Sequence, residues 1–163
     1  MAQTHNTAGP LKNVFTAILL TGLVAGTLDG LAAVNGYMAS GKTDPGVVFK
    51  YIASGVFGKE AYAGGTGMII WGILFHFLIA YGLTVFYFWL YPRVKWLGEN
   101  KVASAILYGI FAWIVTTQLI VPLSRIQRPP ANIYKYISAM QILVLFIGLP
   151  ISLMANKHYL YKK

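Results

Sequence analysis

Apolar residues run almost unbroken through four stretches of the chain, about 14–36, 68–91, 102–123 and 136–155, and polar or turn-forming residues gather between them. Each stretch is near the ~20 residues an α-helix needs to cross a ~30 Å hydrocarbon core. The pattern therefore predicts an all-α polytopic membrane protein with four transmembrane helices. Aromatic residues mark the ends: Tyr87, Trp89, Tyr91 and Trp96 around Pro92-Arg93 after the second stretch, Tyr134 and Tyr136 before the fourth, Tyr159 and Tyr161 after it. Rings of this kind sit at headgroup level, with one end apolar and the other wet.

Between the first two stretches, Thr43-Asp44-Pro45 reads as a helix start, a capping residue followed by proline in the first turn. Val47, Val48, Tyr51 and Ile52 then recur at helical spacing, with Lys50 and Lys59 off that stripe. This predicts a short amphipathic helix over about 45–58, lying on the interface or dipping in. Gly64-Gly65-Thr66-Gly67 makes a flexible approach to the second span. No internal repeat interrupts the plan, and the 163 residues read as one membrane domain.

Composition points the same way. The chain is 57% hydrophobic and 10% charged, against ~25% charged in soluble domains, and a soluble fold cannot hide that much apolar surface. The formal charge of +9, from 13 Lys and Arg against 4 Asp and Glu, would raise the question of nucleic acid in a soluble protein. Here the bases punctuate the ends of apolar runs. They fit anionic lipid headgroups, at ~1 kcal/mol per base near the surface, so the expected partner is the lipid bilayer and not nucleic acid. The absence of cysteine excludes disulfides, thiolate nucleophiles, thiolate-bound zinc and iron–sulfur clusters within the chain.

The apolar run after Lys12 exceeds the ~7–15 residues of a signal-peptide core and has no small-x-small cleavage site, so it reads as a span. An even number of spans puts both termini on one side. The bases there are Lys12, Arg93, Lys95, Lys101, Lys157, Lys162 and Lys163, against Lys42, Lys50, Lys59, Arg125, Arg128 and Lys135 opposite. That near balance leaves the positive-inside rule little to act on, and the short lysine-dense tail favours cytoplasmic termini.

Asp29 carries the most information about function. A carboxylate at the centre of a span costs at least ~2.5–3.5 kcal/mol, so it must face protein or water. Antiparallel alignment brings it level with His76 of the second span, both about 5 Å off centre at 1.5 Å per residue. Gln118, with Thr116 and Thr117, and Gln141 fall on the same side of the middle, so all four spans contribute to one polar layer. Gly22, Gly26, Gly30 and Ala33 share a helix face with Asp29, and Gly72 and Ala80 share one with His76; small-residue faces are where membrane helices meet. An Asp29–His76 contact follows, and such a pair, with attraction and desolvation opposed, trades a proton near neutral pH.

Two readings stand side by side: a small-solute or proton- and ion-handling transport component, and a structural or accessory subunit whose polar layer fixes helix packing. A ligand or lipid pocket is a third. Pro122 and Pro150 either kink their helices to open a cavity or end a last turn, and termination is the simpler expectation.

Gly36-Tyr37-Met38-Ala39-Ser40-Gly41-Lys42-Thr43 matches the phosphate-loop pattern letter for letter. That chemistry needs a strand before the loop and a helix opening at the lysine, with backbone N–H groups converging on phosphate. A membrane helix precedes it here and Pro45 interrupts the donor row, so no nucleotide is expected. Asp29 and His76 are too few ligands for a metal. One intramembrane His supplies two axial haem ligands only if chains pair, as in a homo-oligomer. Ser124 beside Arg125 has no His near it in sequence. No cofactor and no catalytic residue is expected.

Gly26-Thr27-Leu28-Asp29, Tyr51-Ile52-Ala53-Ser54-Gly55 with Gly58 and Gly64-Gly65, Leu74-Phe75-His76-Phe77-Leu78-Ile79-Ala80, Tyr91-Pro92 and Val121-Pro122-Leu123-Ser124 occur in this order. Together, over roughly Gly22 to Ser124, they resemble a family of small, uncharacterised bacterial inner-membrane proteins. The second half is more loosely similar to the YagU-type inner-membrane proteins. The resemblance implies an inner-membrane location, four helices, and a recurring design that joins Asp29, the Ile52-Ala53-Ser54-Gly55 stretch and His76.

Overall fold

The computed structural model describes residues 13–127 and 132–160. Tyr161 and the bases Lys12, Arg128, Lys162 and Lys163 lie outside the described residues. The elements are α1 (Val14–Ala39), α2 (Gly46–Phe57), the single turn α3 (Glu60–Ala63), α4 (Thr66–Leu90), the single turn α5 (Trp96–Glu99), α6 (Lys101–Leu123) and α7 (Ile133–Leu160). No strand occurs among the described residues. α1, α4, α6 and α7 have mean hydropathies of 1.8 to 2.1 and are long enough to span a bilayer. Leu23, Leu31, Ile70, Leu78 and Val102 point outward, a surface whose proper solvent is hydrocarbon. The chain is an all-α, multi-pass membrane protein.

α1 and α4 run antiparallel along a seam of glycine on one helix and rings on the other. A Cβ on Gly22 would fall 2.3 Å from the Tyr81 ring, one on Gly26 2.8 Å from Phe77, and one on Gly30 3.2 Å from the His76 imidazole. Ala80 packs into the same seam beside Gly26. Gly72 serves a different contact: its missing Cβ makes room for the backbone of Phe49 on α2, whose carbonyl oxygen would lie 2.0 Å away. α2 is therefore pressed against the first two turns of α4, not merely laid beside the bundle. The Asp44 carboxylate accepts from the Gly46 N–H at its start (2.9 Å), and Gly58, at φ +65°, ends it in the left-handed conformation that glycine tolerates. The Gly55 carbonyl accepts from the Arg125 N–H at 2.9 Å, tying α2 to the end of α6.

Both spanning prolines sit just beyond a π-helical segment. Val115–Ile120 precedes Pro122, and Val144–Gly148 precedes Pro150. Proline has no N–H to give and its ring crowds the carbonyl four residues back; widening the helix there relieves the crowding, and π segments cluster at functional positions. Termination describes Pro122, since α6 ends at Leu123, but not Pro150, because α7 continues to Leu160. Beside the second segment α6 and α7 meet closely, with Gly148 against the Ala105 carbonyl and Gly109 against the Val144 backbone.

The half of the bundle nearer the termini is densely packed and cross-linked. Tyr87 donates to Ser152 (3.1 Å), which donates to the Lys101 carbonyl (2.9 Å). Asn156 donates to the Tyr91 hydroxyl (2.6 Å), and Tyr108 donates to the Leu83 carbonyl. Tyr87 and Tyr91 are thus buried core residues, not the interfacial anchors their position after the second span suggests; Trp89 and Trp96 remain exposed.

Candidate functional site

The half of the bundle toward the interhelical loops is open. A cavity of about 800 Å³ lies there between α1, α2, α4, α6 and α7, within the 300–1,000 Å³ typical of small-molecule sites. Its walls are mostly apolar, and Tyr51, Phe75, Trp113 and Tyr134 are among the aromatic residues that line it. Asp29 and His76 line its inner half; each lies within about 4 Å of the midpoint of its span at 1.5 Å rise per residue. Ser124, Ile126 and Lys135 line it near the loop face.

His76 is buried and its Nε2 lies 2.7 Å from the Gly26 carbonyl. A carbonyl can only accept, so the proton sits on Nε2, and in the neutral ring Nδ1 is then an acceptor. Phe49 and Phe77 meet the imidazole edge-on, fixing its plane. Asp29, one turn along α1 from Gly26, is partly exposed to the cavity and interacts electrostatically with His76. The imidazole's hydrogen bond goes to the α1 backbone, while the carboxylate faces the open volume.

Thr116 and Thr117 line the cavity from the π segment of α6. Their hydroxyls donate backward, Thr116 to the Ala112 carbonyl (2.9 Å) and Thr117 to the Trp113 carbonyl (2.6 Å). Such bonds to the carbonyl one turn back satisfy a hydroxyl inside a membrane helix.

The structure thus gathers Asp29, His76 and Thr117 around one space. Gln118 and Gln141 do not join them. Both are exposed on the outside of the bundle and neither lines the cavity. They fall on the same side of the middle, but depth does not fix direction: Gln118 follows Thr117 around the helix by a quarter turn or more, and on α7 the inward face belongs to Ser138, Ala139, Ile142 and Leu143. Trp113 and the aromatic walls escape a search for polar residues. Trp113, Thr116, Thr117 and Ile120 do recur at helical spacing, and that stripe is the signal that picks out the inward face of α6.

The segment matching a phosphate loop is the C-terminal turn of α1 and the bend after it, with Gly41 at φ +82°. A helix C-terminus presents carbonyls, the polarity opposite to a phosphate-binding helix start. Among the described residues, no three His, Asp or Glu side chains converge as a metal set. No protein-family model, curated protein or solved structure matches the chain.

Proposed function

We propose that the protein is a small membrane carrier component that takes a small, largely apolar solute into the cavity between its helices and handles a proton at the Asp29–His76 pair. One observation carries the reading: the only acid within the four spans lines a cavity large enough for a ligand. A residue serving helix packing alone has no need of such a space. The setting is a bacterial inner (plasma) membrane with cytoplasmic termini, in keeping with the family resemblance and the lysine-dense tail. Self-association follows from two further points. Four helices rarely enclose a pathway alone, and Gln118 and Gln141, outward-facing at span depth, seek amide partners on another helix.

Proteoliposomes of wild type and Asp29→Asn test the proposal. An imposed pH gradient should drive solute-dependent proton flux in the wild type and not in the variant; equal traces would remove it.

A specific observation also favours the structural reading, in which the polar residues only fasten helices. His76 joins α4 to α1 through the Gly26 carbonyl at 2.7 Å, a clamp that is worthwhile without any transported solute. That reading predicts that Asp29→Asn and His76→Gln lower thermal stability in detergent and change any cellular phenotype only in proportion to protein level.

A further inference from the structure

Several donors that line the cavity are already committed to backbone carbonyls. The Nε2–H of His76 is committed to the Gly26 carbonyl, and the hydroxyl hydrogens of Thr116 and Thr117 to the carbonyls of α6. Ser124, nearer the mouth, gives its hydrogen to the Val121 carbonyl at 2.8 Å. The Trp113 indole N–H is buried out of reach of solvent, with no partner among the described residues. What these groups still present to the cavity is chiefly acceptor capacity: the hydroxyl lone pairs and the Asp29 carboxylate. The aromatic residues Tyr51, Phe75 and Trp113 also line the space, and aromatic rings attract cations.

From this largely apolar space with one carboxylate we infer that the cargo is a lipophilic organic cation, a protonated amine on an apolar body, held by Asp29 in exchange for a proton. The inference rests on the carrier reading for its purpose, and names the class of solute. An anion would meet the like charge of Asp29, and a neutral apolar solute would leave the carboxylate unpaired. Protonation of Asp29 removes the charge that holds the cargo, so cation and proton exclude each other there. The other titratable or charged groups lining the cavity are His76 from α4, Tyr51 from α2, and Tyr134 and Lys135 from α7; α1 and α6 add none among the described residues. Lys135 stands at the mouth, away from Asp29.

Three ligands that share a body and differ in charge make the test: 3,3-diphenylpropylammonium, 3,3-diphenylpropan-1-ol and 3,3-diphenylpropanoate. Each is titrated calorimetrically into the full chain in phosphatidylcholine nanodiscs, with empty nanodiscs as the blank. The ammonium should bind at least about tenfold more tightly than the alcohol, a charge-assisted contact being the difference, and the carboxylate more weakly than either. Asp29→Asn should bring the ammonium to the level of the alcohol, and Asp29→Glu should keep most of the preference. Equal affinities of ammonium and alcohol for the wild type would overturn the inference. So would an undiminished preference in a folded Asp29→Asn; if that variant does not melt cooperatively, the wild-type comparison and Asp29→Glu decide. Proton flux in proteoliposomes separates the two ideas. Asp29-dependent flux without ammonium preference sinks the cargo and spares the carrier, whereas ammonium binding without flux does the reverse.

Discussion

His76 joins two tasks in one ring. Its Nε2–H fastens α4 to the Gly26 carbonyl, while the residue also lines the cavity. His76→Phe keeps a planar ring but gives up the bond, and interhelical hydrogen bonds in membranes contribute ~0.6 kcal/mol on average and ~1.7 at most. The variant should melt only a few degrees lower in detergent, with its circular dichroism unchanged. Asp29 makes no such clamp. Asp29→Asn should leave the melting temperature close to that of the wild type, while abolishing proton-coupled flux; a large loss of stability would assign Asp29 to packing instead. Asp29 was legible from sequence because a carboxylate within an apolar run has few acceptable surroundings. Gln118 and Gln141 misled for the complementary reason: an amide is cheap enough in a membrane helix to face either way, so its depth says nothing about its direction.

At the scale of elements, glycine decides which helices touch. A Cβ on Gly72 would lie 2.0 Å from the Phe49 carbonyl oxygen, whereas one on Gly82, in the same helix, meets nothing within 4 Å. Gly72→Ala must push α2 off α4, an overpacking cost of about 1–3 kcal/mol, while Gly82→Ala should be neutral or slightly stabilising through helix propensity. Thermal melts of the two variants side by side check this, and equal midpoints would mean that α2 is not held where described. Pro150 offers a second handle. Pro150→Ala restores a backbone N–H and should let α7 close into regular α-helix, raising stability while turning Ile147 away from the cavity. Flux that rises with stability would contradict the link between the π segment and the site. The four spans and α2 were readable because length, apolarity and an Asp-Pro start leave few alternatives. The π segments were not: Pro122 and Pro150 announce a disturbance, but a proline alone does not say whether its helix kinks, stops or widens.

Taken whole, the molecule is stiff toward its termini and hollow toward its loops. Tyr87, Ser152, Asn156 and Tyr91 cross-link the first half; the second is left open around Asp29, with α2 as one wall. That division was hidden in the sequence because tyrosine near a span end serves equally as lipid anchor or as buried hydrogen-bond donor, and the choice depends on the serine or asparagine opposite. The central claim is that Asp29 faces a space reached from the loop side. The chain has no cysteine, so single-cysteine variants in sealed proteoliposomes measure it directly. Asp29→Cys and Ala33→Cys should react with a small impermeant methanethiosulfonate added on the loop side, and Ser152→Cys should not react from either side. An Asp29→Cys that stays inert from both sides while the protein remains folded would contradict the account.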